Sequence, residues 1–189
     1  MPEPVNISLP VDVDVLRALP VGTAVSLSGT VFTARDATHA RLVADLERAG
    51  ALPYGLSGQV LFYAGPTPPA AGRAAGAVGP TTAKRMDPWT PPLLAAGIAA
   101  TIGKGPRSQE VRQACAASGA VYLAAVGGAA ALLASRVRAV DVVAYPDLGT
   151  EALMRMELQA FPAWIAIDAN GGDLYAIAHA DWASAGETL

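Results

Sequence analysis

From Pro91 to Ala144 the sequence alternates between helical patterns and short apolar runs, with glycine at most of the junctions. Leu93–Ala96 reads as helix with Gly97 as its terminator, and Ile98–Ile102 as a buried strand ending in Gly103-Lys104-Gly105. Ser108 is placed to cap a helix over 109–118 that Gly119 closes. Val121–Val126 is the next strand, followed by Gly127-Gly128, an Ala/Leu helix to Ser135 and a strand over Val140–Ala144. Short runs that are apolar on both faces must be covered on both sides. Parallel strands flanked by helices meet that condition.

The first half is richer in strand. Asn6–Pro10 reads as a short strand, and Val13–Leu19 as a short helix closed by Pro20. Ala24–Phe32 alternates apolar with small polar residues, which is the strand period. Asp36 is placed to cap a helix that runs through Leu46 to Ala49 and stops at Gly50, with Leu42, Val43 and Leu46 as its buried stripe. Gln59–Ala64 is a strand entering a long Gly, Ala and Pro loop over 65–80, either flexible or laid close against something. Near the end, Trp164–Ile167 reads as a strand, and Asn170-Gly171 as a hairpin turn into another over Leu174–Ile177. Strands first and βαβα afterwards give an α/β fold with a central, partly parallel sheet and β-rich additions, in a single domain over 1–189.

Composition excludes several roles. Hydrophobic residues make up 52% of the chain and charged ones only 15%, an apolar balance that fits an Ala-rich core or a large surface covered by a partner chain. A net charge of −3 gives no electrostatic reason to bind nucleic acid or an anionic membrane. No uninterrupted apolar run is long enough for a transmembrane helix, and Met1-Pro2-Glu3-Pro4 lacks the basic start of a signal segment. The single cysteine, Cys115, excludes an internal disulfide and suits a reducing cytoplasm. With only His39 and His179 beside it, no metal-ligand spacing exists.

Against this apolar background stand three compact polar islands: Thr33–His39, Gly79–Asp87 and Ile102–Ser108. Arg35 follows a strand and precedes a helix start, where a guanidinium and helix N–H groups together suit a carboxylate. It could equally be a surface residue paired with Asp36 or Glu47. In Gly79-Pro80-Thr81-Thr82-Ala83-Lys84-Arg85-Met86-Asp87 a turn is followed by two hydroxyls, two cations and a carboxylate. The hydroxyls could simply bond the turn backbone. Lys104 lies between two glycines that allow close backbone approach, but neither phosphate-loop glycine pattern is found. Arg35, Arg85 and Lys104 offer the opposed cations that a short dicarboxylate needs.

The three islands in this order resemble the C-terminal domain, or beta subunit, of class I iron–sulfur fumarases and the related tartrate dehydratases. Val126–Leu132, Tyr145–Ala152 and Phe161-Pro162-Ala163-Trp164 match as well, so the resemblance covers about Leu27 to Tyr175. It implies a swivelling β/β/α fold and a hydro-lyase that interconverts fumarate and (S)-malate. L-Tartrate dehydration, mesaconate hydration and a non-catalytic assembly module are the alternatives. Thr33-Ala34-Arg35-Asp36, Arg85-Met86-Asp87 and Phe161-Pro162-Ala163 look closer to the fumarase pattern than to the tartrate one. The resemblance further implies that Thr81 takes part in proton abstraction, that Arg35, Thr82, Arg85 and Lys104 bind substrate, and that Asp36, His39 and Asp87 support them. Lys84 stands where many members have Gly, and no role is assigned to it. A [4Fe–4S] cluster held in the family's way needs three Cys thiolates. This chain has one, so the resemblance implies a cluster on a partner alpha subunit, in an alpha2beta2 assembly.

Overall fold

Strand β7, Leu153–Ile167, is the longest strand and organises the sheet in the computed structural model, which describes residues 3–186. Met1 and Pro2 lie outside the described residues. The other strands are β1 Val5–Leu9, β2 Ala24–Thr33, β3 Val60–Phe62, β4 Ala100–Gly103, β5 Val121–Ala124 and β6 Val137–Ala144. β1 to β5 run parallel, each beside the next. β7 runs antiparallel to β5, β6 and β2. Trp164 faces Ala24 of β2 on one side and Ala124 of β5 on the other. The pairing β2-β3-β4-β5-β7 therefore returns to β2 and closes, which leaves none of these five strands as a bare edge.

Strand alternation divides the interior in two. Val60 and Phe62, Ala100 and Ile102, Val121 and Leu123 join Val25, Leu27, Val31, Met156, Phe161 and Ile165 in one cluster, to which every strand of the ring contributes. Their neighbours Leu61, Tyr63 and Tyr122 point the other way, against α2 Asp36–Ala49, α3 Thr90–Ala95 and α4 Gln109–Ser118. Leu42, Leu93, Leu94, Val111 and Cys115 are the buried side chains those helices supply. The α/β class and partly parallel sheet expected from sequence are present. So are the Ser108 cap, whose hydroxyl accepts from Val111 N, and the left-handed Gly50 and Gly119 that end α2 and α4. The 65–80 loop is laid down: Thr67 N donates to Ala77 O at 3.1 Å, Gly76 N to Thr67 O at 3.0 Å and Val78 N to Ala130 O at 3.1 Å. Among the described residues no helix is long and apolar enough to cross a membrane.

Three expectations need correction. Leu174–Ile177 is not a strand but the start of helix α6, Leu174–Gly186. The Asn170-Gly171 turn does form, with a single bridge between Ile167 and Asp173. Asp173 then ends the ladder because its carboxylate accepts the N–H groups of Tyr175 and Ala176, which is a helix N-cap. Asp36 does not cap α2: Arg35 holds the capping position without a side-chain bond, and the Asp36 carboxylate is engaged elsewhere. The strand read as Trp164–Ile167 begins eleven residues earlier, at Leu153.

Candidate functional site

Because β2 to β5 are parallel, their carboxyl ends share one edge of the sheet, the place where α/β folds present ligand sites. β2 leads there into Arg35, β3 into Tyr63–Gly65, β4 into Lys104 and β5 into Ala125–Gly127. The Gly79–Asp87 segment crosses the same edge. Thr81 N donates to Tyr63 O at 2.6 Å, Lys104 N donates to Thr81 O at 3.1 Å, and Ala83 N donates to Lys104 O at 2.9 Å. Residues 81–83 thus prolong the sheet between the ends of β3 and β4, with Thr82 paired to Lys104. The backbone of Thr81 is fixed on both sides. Among the described residues neither the Thr81 nor the Thr82 hydroxyl bonds a protein group, so neither is used up in the turn.

Arg85, on the 3₁₀ turn Ala83–Met86, holds Asp36 through two bonds, Nε to Oδ1 at 2.9 Å and Nη2 to Oδ2 at 2.7 Å. Arg35 is not paired with Asp36 or Glu47. Its Nη2 lies 3.2 Å from Glu151 Oε1, while Nε is buried with no partner among the described residues. Glu151 also accepts Ala37 N at 3.1 Å and, through its carbonyl, the Thr38 hydroxyl, so one residue serves both the helix start and the guanidinium. Gly65 gives Arg35 room: a Cβ there would lie 2.7 Å from Thr150 O and 3.3 Å from Arg35 Nη1. Gly127 does the same for Lys104, whose Cδ would be 3.1 Å from an added Cβ.

Two of the three supporting residues, His39 and Asp87, sit beneath this edge. His39 is fully buried and meets Tyr63 edge to face, with the ring centroids 5.0 Å apart. Its Nδ1 donates to Arg35 O at 2.9 Å, and its backbone N–H donates to the same carbonyl at 2.8 Å. Burial pushes its pKa down to about 4, against the pull of that hydrogen bond, so the ring is neutral. Asp87 is buried, with Oδ1 accepting from Arg107 Nε at 2.6 Å and Oδ2 from Ser108 N at 2.7 Å. With both oxygens engaged it belongs to the support of the edge rather than to its open side. Arg107 and Glu151 were not assigned roles from sequence, although both lie inside quoted motifs. The burial of an arginine leaves no mark in the sequence pattern.

The edge carries Arg35, Lys84, Arg85 and Lys104 against Asp36 and Glu151, so it keeps surplus positive charge beside two free hydroxyls. Such an arrangement can bind carboxylates and present an oxygen to a proton. Among the described residues no three His, Cys, Asp or Glu side chains gather as a metal site.

Residues 2–178 match the family model for the fumarase C-terminus. The chain is 40% identical over 162 residues to the aerobic class I fumarate hydratase of Escherichia coli K12, which covers 85% of this chain and 30% of that protein. It is 40% identical over 176 residues to the mitochondrial fumarate hydratase 1 of Leishmania major, covering 90% of this chain and 32% of that one. It therefore spans about a third of these fumarate hydratases. A putative L(+)-tartrate dehydratase subunit beta of Methanocaldococcus jannaschii is 36% identical over 166 residues, with 85% of both chains covered. The order of the polar islands, the parallel edge on which they meet and a match over nearly the whole length agree: the chain belongs to the fumarase C-terminus family.

Proposed function

We propose that this chain is the beta subunit of a hydro-lyase that interconverts fumarate and (S)-malate, completed by a cluster-bearing alpha subunit in an alpha2beta2 assembly. What supports the reading, beyond family membership, is the meeting of Arg35, Thr81, Arg85 and Lys104 at the carboxyl ends of β2, β3 and β4. In this reading Arg35 and Arg85 each take a substrate carboxylate through paired N–H groups, and Lys104 and the Thr82 hydroxyl add single contacts. The Thr81 hydroxyl takes the proton from the carbon next to the one that bears the hydroxyl group as it passes its own proton to an acidic group of the alpha subunit. His39, Asp36 and Asp87 hold these groups in place. His39 does so through the Arg35 carbonyl, Asp36 through the Arg85 guanidinium, and Asp87 through Arg107.

Loss of the hydroxyl also calls for a Lewis acid, and this chain does not fit a [4Fe–4S] cluster. Its one thiol, Cys115, is buried within α4 and raised to a pKa of about 11, against the thiolate a cluster needs. The cluster is assigned in this reading to the alpha subunit, and a lone, unpaired cysteine agrees with a reducing cytoplasm as its compartment. The subunit reading is supported by the putative L(+)-tartrate dehydratase subunit beta, with which the match covers 85% of both chains.

The test is to co-produce the chain with its cluster-bearing partner without oxygen and compare fumarate, L-tartrate and mesaconate. The reading expects the highest kcat/KM with fumarate and (S)-malate. Faster turnover of tartrate or mesaconate would transfer the assignment to that substrate. Assembly without turnover of any of the three would make the chain a binding module.

A further inference from the structure

Two segments carry the groups assigned above, Thr81–Arg85 and Gly103-Lys104-Gly105, and one buried cation reaches the supports of both. The Arg107 side chain is fully buried. Its guanidinium lies between two aromatic rings, 5.2 Å from the centroid of Tyr63 and 4.9 Å from that of Tyr122. Within that slot Nε donates to Asp87 Oδ1 at 2.6 Å, Nη2 to Thr90 Oγ1 at 2.8 Å and Nη1 to Thr101 Oγ1 at 3.3 Å. A buried charge persists only when partnered in this way.

On one side, Asp87 directly follows the 3₁₀ turn that bears Arg85, and the Thr90 hydroxyl donates to Met86 O at 2.9 Å. Tyr63, which forms one wall of the slot, accepts Thr81 N at its carbonyl. On the other side, the Tyr122 hydroxyl donates to Gly105 O at 2.8 Å, next to Lys104. The bonds to Asp87, Thr90 and Thr101 leave from different nitrogens of one planar group. A lysine ammonium is a single point and cannot span them.

We propose that Arg107 is a positioning residue that sets the separation between the Thr81–Arg85 segment and the Lys104 turn, and so the length of dicarboxylate the edge accepts. This rests on the reading of Thr81, Arg85 and Lys104 as substrate-facing groups. Arg107 itself touches no substrate.

Hydrogen exchange of the full chain, followed by mass spectrometry, tests the positioning. Arg107→Lys should raise exchange on the order of tenfold in both 79–87 and 103–106, while amides of β2 and β7 keep their wild-type rates. Tyr122→Phe removes only the bond to Gly105, so it should loosen 103–106 alone, and Asp87→Asn should loosen 79–87. These two variants decide the matter if Arg107→Lys does not fold. In the assembled enzyme, inhibition by succinate and by glutarate is then compared. Arg107→Lys should reduce the wild-type preference between the two lengths several-fold, which a loss of folded protein alone would not change. Exchange raised in all strands alike, in neither segment, or an unaltered length preference in an active enzyme would overturn the proposal. A wild-type assembly that binds neither dicarboxylate would overturn the functional reading instead. The exchange experiment would still decide whether Arg107 holds the two segments.

Discussion

Arg85 and Asp36, 49 residues apart, form a two-bond clasp between the 3₁₀ turn and the first turn of α2. Asp36 was expected to cap the helix and instead orients a cation. The two side chains are 50% and 27% exposed, so the clasp contributes little stability, roughly 0.5 kcal/mol. Its consequence is geometric. Arg85→Ala should lower kcat/KM of the assembled enzyme about 10- to 100-fold, largely through KM, since it removes a charge-assisted carboxylate contact. Asp36→Asn should shift KM in the same direction by less, with an unchanged thermal midpoint. Steady-state kinetics beside a melting curve check both.

Thr81 is fixed through its backbone, and its hydroxyl has no protein partner among the described residues. Thr81→Ala should therefore leave folding and assembly intact. If the hydroxyl accepts the proton, kcat should fall about 10²- to 10⁴-fold with little change in KM. Exchange of the substrate C–H with deuterated water should fall in parallel. A wild-type kcat in a folded, assembled variant would return the role of proton acceptor to the partner chain.

His39 gives the fold a dependence on pH. The unfolded chain takes up a proton near 6.5 and the folded chain only near 4, because burial penalises the imidazolium. Its contribution is present above pH 6.5 and is lost as pH falls through that window. Between pH 7 and pH 5 the loss is about 2 kcal/mol from this residue. Urea unfolding at the two values should show it, and His39→Asn should flatten the difference whatever its effect on overall stability.

Cys115 is buried in α4 with its thiol raised to about 11 by desolvation. A soluble alkylating reagent at neutral pH should leave it unmodified in the folded chain and label it in urea. Iron and sulfide analysis of the separately purified, reconstituted chain should find no stoichiometric cluster. Iron–sulfur clusters are held by several thiolates, and this chain has one cysteine.

What the sequence determined was local. Glycine at 50 and 119 and serine at 108 act within a few residues of themselves, so the ends of α2 and α4 were readable. The alternation of helix and apolar run after Pro91 pointed to a partly parallel sheet, while the edge on which the polar islands meet came from the pairing of β2 to β5. What the tertiary structure decided were choices between equally available partners. Asp36 could cap its own helix or bind Arg85, and Arg35 could pair with Asp36, Glu47 or Glu151. Only the fold sets which distances are short. The start of α6 at Leu174 belongs with the local features instead: the Asp173 carboxylate caps it within three residues, a signal that the hairpin reading passed over. The burial of Arg107 between Tyr63 and Tyr122 was illegible, as the partners of Asp36 and Arg35 were. A guanidinium enters a core only where partners from three elements, Asp87 after the 3₁₀ turn, Thr90 of α3 and Thr101 of β4, are brought together to receive it.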